Sequence, residues 1–258
     1  MSAVFADLNQ YFDKIYVITL EGYEARQASI KAHFEGLNYE FWPGTDKRDF
    51  SDEVLKDTTL YNDQIHRTTK RTSRSMTLGE YCCSVSHRRI FEDMLEQGHE
   101  RVLIFEDDAI PVLSALPDFN TTMASLAEGW DLILFDYYDH YLEGVGSSVK
   151  KALYKLYHHL HIANWQHVPK HLIDNITMRE HNEHFYKVGK CSGAHSYAVS
   201  AKAAKHYIDM QTPVILQADR IFYYDNEPEK LKKFASKKSF FDRGDVSLIS
   251  SIQTRNGG

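Results

Sequence analysis

The chain has 258 residues, 43% hydrophobic and 13% aromatic, which is enough for one large domain or two small ones with a real core. This composition excludes overall intrinsic disorder. Thirty Lys and Arg against 36 Asp and Glu give a formal net charge of −6, which excludes binding to nucleic acid or an anionic membrane by bulk charge. No apolar run reaches the roughly 20 residues of a membrane-spanning helix.

The first residues and the cysteines both indicate a reducing compartment. Residues 1–7 lack a basic region followed by an apolar run, so no secretory signal is predicted and the cytoplasm is the expected location. Cys82 and Cys83 are sequence neighbours, which rarely bond to each other, and only Cys191 remains. We therefore expect no disulfide framework and interpret the cysteines as small core residues.

The N-terminal part predicts a strand, a helix and a second strand. Residues 14–20 form a β-branched and aromatic run of strand length, and a helical pattern follows through Arg26, Ile30 and Phe34. Residues 39–42 predict a second strand, which Pro43 and Gly44 end. The polar stretch 45–75 has no fixed apolar period and is predicted to be loop with short helices.

Thr77 and Glu80 have the spacing of a capping box, with Thr77 as N-cap. The predicted helix runs to Gly98, a typical helix terminator. Its expected buried residues are apolar and recur at helical spacing: Tyr81, Val85, Phe91, Met94 and Leu95.

Acidic residues follow two predicted strands. Residues 101–105 form a continuous apolar strand that ends in Glu106, Asp107 and Asp108. Residues 130–135, after a helical stretch at about 117–128, form another strand, which ends near Asp136 and Asp139. Because open α/β sheets bind ligands at the carboxyl ends of their strands, the two acidic ends are expected to share one crevice.

Carboxylate oxygens are the ligands that Mg²⁺ and Mn²⁺ prefer. Strand alternation directs Glu106 and Asp108 to one side and Asp107 to the other, so the first and third predict a divalent-metal site. The local sequence leaves open a solvated acidic turn, since short acidic runs are common.

The later part of the chain predicts an amphipathic helix, a strand and another helix. Residues 149–160 place an apolar stripe opposite Lys150, Lys151 and Lys155. Packing of this stripe on the rest of the chain is the favoured interpretation, and contact with a membrane surface is the alternative. Residues 193–200 predict a short strand, and residues 201–210 predict a helix.

Two further groups of polar residues have ordinary interpretations beside functional ones. Eight of the 14 histidines lie between His140 and His184, yet no spacing gives a closed zinc ligand set. Basic residues cluster before the capping box and near the C-terminus, where they could meet a diphosphate or form solvated faces. These clusters contain Arg67, Lys70, Arg71 and Arg74, and Lys230, Lys232, Lys233, Lys237 and Lys238.

The segment 76–87, MTLGEYCCSVSH, followed by a helix and then by VLIFEDD at 102–108, resembles the signature of glycosyltransferase family 25, which includes bacterial lipooligosaccharide galactosyltransferases and collagen galactosyltransferases. Similarity extends to IYVITL at 15–20 with Arg26, to Trp130-Asp131, and to GAHSYAVS at 193–200 with Ala203-Ala204. Asp219 and SSI at 250–252 also match similar sequences. Cys82 departs from the pattern, in which a small glycine is usual, and so do residues 21–24, where a more basic run is typical.

This resemblance implies an α/β, GT-A-type (Rossmann-like) nucleotide-sugar transferase with a mainly parallel central sheet. It implies one domain, 1–258, with a nucleotide-binding lobe at about 13–110 and an acceptor-side lobe at about 111–258. It implies an inverting, metal-dependent transfer of a hexose, galactose from UDP-galactose above all, to a saccharide acceptor in lipooligosaccharide or lipopolysaccharide outer-core synthesis. The expected enzyme is bacterial and cytoplasmic, with peripheral contact to the inner membrane as an option.

The resemblance also assigns roles to residues. Glu106 and Asp108 are predicted to hold Mn²⁺ or Mg²⁺, and Asp219, with Asp136 and Asp139 as rivals, is predicted to be the catalytic base that deprotonates the acceptor. The predicted substrate-binding residues are Leu20, Arg26, Asp46, Glu80, His87, Asp107 and His195. For His87, the local sequence favours instead a bond to a neighbouring backbone group.

Two other functions stay open from the sequence. A non-catalytic saccharide- or nucleotide-binding domain would keep the same fold without turnover. A metal-dependent phosphoester hydrolase would use the same carboxylates, although the sequence lacks a two-metal ligand set.

Overall fold

A computed structural model describes residues 3–138, 140–225 and 230–244. The strands are β1 Lys14–Thr19, β2 Glu40–Pro43, β3 Arg101–Glu106, β4 Ala109–Pro111, β5 Leu132–Leu134, β6 Arg179–Glu180, β7 Phe185–Lys187, β8 Ser196–Ser200, β9 Lys233–Ser236 and β10 Phe241–Arg243. The α-helices are α1 Ala6–Tyr11, α2 Glu24–His33, α3 Asp63–Lys70, α4 Leu78–Glu96, α5 Phe119–Ala124, α6 Val145–His159, α7 Lys170–Asp174 and α8 Ala201–Met210. Short 3₁₀ helices span Ala3–Phe5, Lys47–Asp49, Asp52–Lys56, Leu116–Asp118, Ile162–His167 and Arg220–Phe222.

Eight strands form one central sheet in the order β2-β1-β3-β8-β5-β9-β7-β6, and β4 pairs with β10 in a small separate sheet. Within the large sheet, β7 and β8 run opposite to the other six strands. The predicted α/β class with a mainly parallel sheet is therefore confirmed. The reversed β8 lies between β3 and β5, at the centre of the sheet.

Hydrophobic layers cover both faces of the sheet. Ile15 and Val17 of β1 pack on one face with α1, α2 and α5, whereas Tyr16 packs on the other with α4 and α8. This division follows from strand geometry, because successive side chains point to opposite faces. A strand covered on both sides needs the continuous apolar sequence that β3 has.

Helix α4 begins as the sequence predicts. Thr77 accepts a hydrogen bond from the Glu80 backbone, and the Glu80 side chain accepts one from the Thr77 backbone, so the capping box is confirmed. Among the predicted core residues of this helix, Tyr81, Phe91 and Met94 are buried and Val85 is half-buried. The expectation for Leu95 is wrong, because that side chain is exposed on the outer face of the last turn.

The remaining predicted elements are present with shifted ends. The 45–75 stretch holds two 3₁₀ helices and α3, as expected for loop with short helices. Strand β5 is shorter than predicted, whereas α8 has the predicted bounds. Asp139 and residues 250–252 lie outside the described residues.

Helix α6 contradicts the favoured interpretation of its apolar stripe. The predicted stripe consists of Val149, Ala152, Leu153, Leu156, Tyr157 and Leu160, and all of these side chains except the half-buried Tyr157 are exposed, Val149 by 66%. The opposite side of the helix is the packed one: Tyr154 and the following Trp165 contact α7. Hydrophobic periodicity located the stripe correctly but could not show which surface covers it. No described helix is long and apolar enough to cross a membrane.

A buried charge cluster ties α8 to β9. The Asp225 carboxylate is fully buried, 2.8 Å from His206 Nε2 and 3.1 Å from Lys233 Nζ. Burial lowers the pKa of Lys233, although Asp225 opposes this shift. A buried ammonium without its carboxylate would carry a large desolvation cost.

We expect Asp225→Asn to lower the free energy of unfolding by about 3–5 kcal/mol, because it leaves Lys233 buried without a counter-charge. Denaturant unfolding followed by circular dichroism measures this change. The control is Asp209→Asn, which removes an exposed i,i+4 partner of Lys205 on α8 and should cost no more than about 0.5 kcal/mol. Equal stability of the two variants would show that the buried charge pair is not needed.

Candidate functional site

A cavity of about 420 Å³, here called the central cavity, lies at the edge of the sheet where β1 and β3 end. These two strands are parallel, with Ile18 opposite Glu106, so their carboxyl ends meet. Strand β8 is antiparallel to β3, which brings the residue before β8, His195, to the same edge. The central cavity thus occupies the position where open α/β sheets bind ligands.

Ten of the eleven predicted site residues line the central cavity: Leu20, Arg26, Asp46, Glu80, His87, Glu106, Asp107, Asp108, His195 and Asp219. Asp136 is the exception. Its Oδ2 is buried without a hydrogen-bond partner and lies 3.8 Å from Arg243 Nε, and burial raises the pKa of this carboxyl. Asp219 therefore lines the central cavity, and Asp136 is not among the residues that line it.

The three acidic residues at the end of β3 point in alternating directions, as strand alternation predicts, and so have different partners. His195 Nδ1 lies 3.1 Å from both the Glu106 and the Asp108 carboxylate. Asp107 instead accepts hydrogen bonds from Arg26 at 2.6 Å and from Thr19 at 3.0 Å. Asp107 is therefore held by β1 and α2, whereas its neighbours share one partner.

His195 compensates the charge of two carboxylates. Burial lowers the pKa of this imidazole, but Glu106 and Asp108 outweigh burial and raise it to about 11. Burial likewise raises the pKa of Glu106, and the His195 cation more than reverses this, so the net direction is downward. The positive charge of the imidazolium offsets the repulsion between the two carboxylates that flank it.

His87 is held by side chains, so the expected bond to a neighbouring backbone group is wrong. Its Nδ1 lies 2.6 Å from the Tyr197 hydroxyl, and its buried Nε2 lies 3.6 Å from Glu106 Oε1 without a hydrogen-bond partner. The imidazole also stacks on the Tyr197 ring. The buried His87 therefore lies next to Glu106, and its imidazole is held in place by Tyr197.

The other predicted acidic residues of the cavity are neutralised by arginine. Arg74 forms a two-pronged salt bridge with Glu80 at 2.7 and 2.8 Å, and Arg48 pairs with Asp46. This partner lowers the pKa of Glu80 to about 2, against the opposing effect of burial. Glu80 also receives a hydrogen bond from Gln217, so its oxygens are largely occupied.

Glu106 and Asp108 differ from these acids, because no described Lys or Arg forms a salt bridge with either of them. Their oxygens and His195 Nδ1 lie within 4.8 Å of one another. Two carboxylates facing an open cavity are a donor set that suits Mg²⁺ or Mn²⁺, which take few protein ligands and leave positions for phosphate. The residues present therefore fit a divalent cation.

Asp219 is positioned by a glycine turn. Its Oδ2 accepts a hydrogen bond from the Gly193 backbone at 3.1 Å and lies 3.6 Å from Arg220 Nε. Gly193 has a φ of +102°, and a Cβ at this position would lie 2.9 Å from the Tyr138 ring. Only glycine fits there without strain or displacement of Tyr138.

Sequence reasoning missed several residues of the cavity. Cys83, interpreted as a core residue, lines the cavity beside His87 and Glu106, and burial raises its pKa well above the usual range. Gln217 also lines the cavity, where it forms hydrogen bonds with Lys70 and Glu80, but a single glutamine carries no sequence signal for a site. Lys70 belongs to a basic run that the sequence did single out.

The other polar clusters do not contribute to the described cavity. Four lysines of the C-terminal group bind protein partners through their ammonium groups instead: Lys232 with the Glu128 carbonyl, Lys233 with Asp225, Lys237 with Glu180 and Lys238 with Asp118. The central histidines likewise form no metal-binding group among the described residues. Three free cysteines agree with the predicted lack of disulfides.

Comparisons with known proteins place the chain in a family. Residues 12–222 match the family model described as "Glycosyltransferase family 25 (LPS biosynthesis protein)". A "Glycosyltransferase 25 family member" of Aedes aegypti is 35% identical over 134 residues, 47% of this chain and 20% of the relative. One of Anopheles gambiae is 34% identical over the same length, 47% of this chain and 21% of the relative.

The chain thus spans about a fifth of the length of these curated relatives. A solved structure titled "Crystal Structure of A197 from STIV" covers 88% of this chain and 81% of its own, at 12% identity and a TM-score of 0.40, which is too low to bear on function. The family model, in contrast, covers most of the chain and includes every acidic residue of the central cavity. The chain belongs to glycosyltransferase family 25.

Proposed function

We propose that this chain transfers a hexose from a UDP-sugar to a saccharide acceptor, with inversion at the anomeric carbon. The observation that carries this proposal is the pair Glu106 and Asp108, which faces the central cavity of a family 25 chain without a described Lys or Arg partner. Galactose as the hexose, and lipooligosaccharide or lipopolysaccharide outer core as the destination, rest on the family resemblance.

The donor would bind with its diphosphate toward Glu106 and Asp108. These two residues would hold Mn²⁺ or Mg²⁺, and the ion would supply charge neutralisation for the diphosphate leaving group. Lys70 and Arg74 line the same cavity, and Arg74 is paired there with Glu80. Asp107 is held by Arg26, which fixes the acidic turn on which both proposed ligands depend.

The transfer step needs a base on the acceptor side. The acceptor hydroxyl oxygen forms a bond to the anomeric carbon, the bond from that carbon to the phosphate oxygen breaks, and UDP leaves with the electron pair. Asp219 takes the hydroxyl proton in this proposal, because it lines the cavity and its carboxylate is oriented by the Gly193 backbone. Asp136 does not line the cavity and is the weaker choice.

We expect Asp108→Asn to weaken Mn²⁺-dependent UDP binding by at least about tenfold, because the amide offers a poorer ligand than the carboxylate. Calorimetric titration of UDP and UDP-galactose, with and without Mn²⁺, measures this effect. Metal-free UDP binding should change little.

The matched control is Asp118→Asn, which removes a surface carboxylate outside the central cavity. It should bind UDP as the parent does. If the parent bound no nucleotide under any condition, the transferase proposal would fail and the non-catalytic binding domain would take its place.

We expect Asp219→Asn to lower the transfer rate by about 10²-fold or more while UDP binding stays within about twofold, because the base acts on the acceptor. Release of UDP from UDP-galactose in the presence of an acceptor mixture measures the rate. Asp136→Asn serves as the comparison. Full activity in the Asp219 variant would remove this residue from the role.

The α6 stripe supports a further part of the proposal, peripheral contact with a membrane that carries the acceptor. The helix has three lysines and no acidic residue, and its apolar side chains are exposed. A basic amphipathic helix of this kind lies in the headgroup region of anionic membranes. We therefore propose an anionic lipid surface as the partner of this stripe.

Vesicles of phosphatidylglycerol and phosphatidylcholine should retain the protein at low salt, and Leu153→Glu with Leu156→Glu should reduce retention about tenfold. Co-sedimentation measures the bound fraction. Leu113→Glu, an equally exposed leucine far along the chain from α6, is the control. No retention of the parent protein would contradict the membrane contact.

A further inference from the structure

A second pocket of about 180 Å³ lies beside the central cavity, between α3, α6 and α7. We call it the basic aromatic pocket and define it by its charged residues and its two stacked rings: Lys70, Arg71, Lys150, Lys190, Tyr154 and Trp165. Neither the family assignment nor the proposed donor site accounts for it.

Ring contacts give this pocket a fixed wall. Tyr154 and Trp165 stack with their centroids 4.1 Å apart, and the Arg71 guanidinium lies 3.9 Å from the Trp165 centroid. Arg71 also donates a hydrogen bond to the Ala163 carbonyl. Lys150 Nζ lies 3.9 Å from the Tyr141 ring centroid. These cation–π contacts hold two cations in place without neutralising them.

Three of these cations, Arg71, Lys150 and Lys190, lie together without a counter-charge on the pocket wall, because the described residues that line the pocket include no Asp or Glu. Lys70, which also lines the central cavity, is stabilised as a cation by Glu80 and Asp219. Lys190 is half-buried, and its ammonium forms no hydrogen bond or salt bridge with a described residue. Burial lowers the pKa of Lys190, and Arg220 adds to this effect. An anion in the pocket would relieve this repulsion.

The basic aromatic pocket adjoins the proposed point of transfer. Lys70 lines both cavities and donates a hydrogen bond to Gln217, which lies two residues before Asp219. A saccharide with its reactive hydroxyl at Asp219 would thus extend past Lys70 toward Trp165. Both faces of Trp165 are covered within the protein, one by Tyr154 and the other by Arg71, so the charged groups of the pocket are what would fix the orientation of such a ligand.

We infer that the basic aromatic pocket binds an anionic sugar residue of the acceptor, one that carries a carboxylate or a phosphate. Lys150 and Lys190 bind the anionic group, and Trp165, held between Tyr154 and Arg71, lies beside the bound sugar. This inference rests on the proposed function, which makes the bound saccharide the acceptor. It restricts the acceptor to negatively charged saccharides.

The test uses the full chain labelled with ¹⁵N-tryptophan, which gives one indole signal for each of the three tryptophans. Trp165→Phe assigns the signal from the pocket. Four probes are titrated: glucuronate, glucose 6-phosphate, glucose and inorganic phosphate. We expect glucuronate or glucose 6-phosphate to shift the Trp165 signal, and glucose not to shift it at the same concentration. The tighter of the two anionic sugars identifies carboxylate or phosphate as the group recognised.

Lys190→Met should raise the Kd of the tighter probe at least about tenfold, and Lys150→Met should have a similar effect. Lys155→Met is the matched control, because Lys155 lies on α6 but pairs with Asp174 outside the pocket. Equal binding of glucose, or an unchanged Kd in both pocket variants, would overturn the inference. Inorganic phosphate binding as tightly as glucose 6-phosphate would overturn its saccharide part.

Titration of UDP with Mn²⁺ into the same samples separates this inference from the proposed function. If the parent bound no UDP but the Trp165 signal still shifted, the transferase proposal would end and an anionic-saccharide site would remain. If the parent bound UDP but no probe shifted the Trp165 signal, the transferase proposal would stand and the anionic-saccharide site would be ruled out.

Discussion

The central cavity depends on the antiparallel pairing of β8 with β3. This pairing places His195 at the carboxyl end of β3, where its imidazole lies 3.1 Å from two carboxylates. The imidazole offsets the repulsion between Glu106 and Asp108, which lie close together in a partly buried place. One reversed strand at the centre of the sheet therefore supplies the partner that these two carboxylates share.

Much of the site could be predicted because its residues are tied to strand ends. A continuous apolar strand followed by acidic residues indicates both a buried strand and the edge where it ends. Alternation then separated Asp107 from its neighbours correctly. The direction of β8 left no signal in the sequence, since a short apolar strand pairs equally well in either sense. The sequence therefore predicted His195 as a site residue but did not predict that it contacts both Glu106 and Asp108.

Predictions failed where the outcome depends on what covers a surface. Residue spacing showed that α6 has an apolar stripe, but the packed side of the helix is the one that carries Tyr154. Tyr154 stacks on Trp165 and packs with it against α7. The prediction of the His87 partner was wrong for a related reason, because the actual partner, Tyr197, lies 110 residues away along the chain.

The charged residues of the two pockets have different partners, so the two ends of the combined surface differ in charge. In the central cavity, arginines neutralise Glu80, Asp46 and Asp107, so the acidic pair beside His195 is the part left to meet an added cation. In the basic aromatic pocket, ring faces hold the cations, and rings do not cancel charge. Lys70 lies at the junction, with a pKa lowered to about 8 by burial. A substrate spanning both pockets would therefore pass from the proposed metal site to the proposed anion site, and this would fix the orientation of an anionic acceptor relative to Asp219.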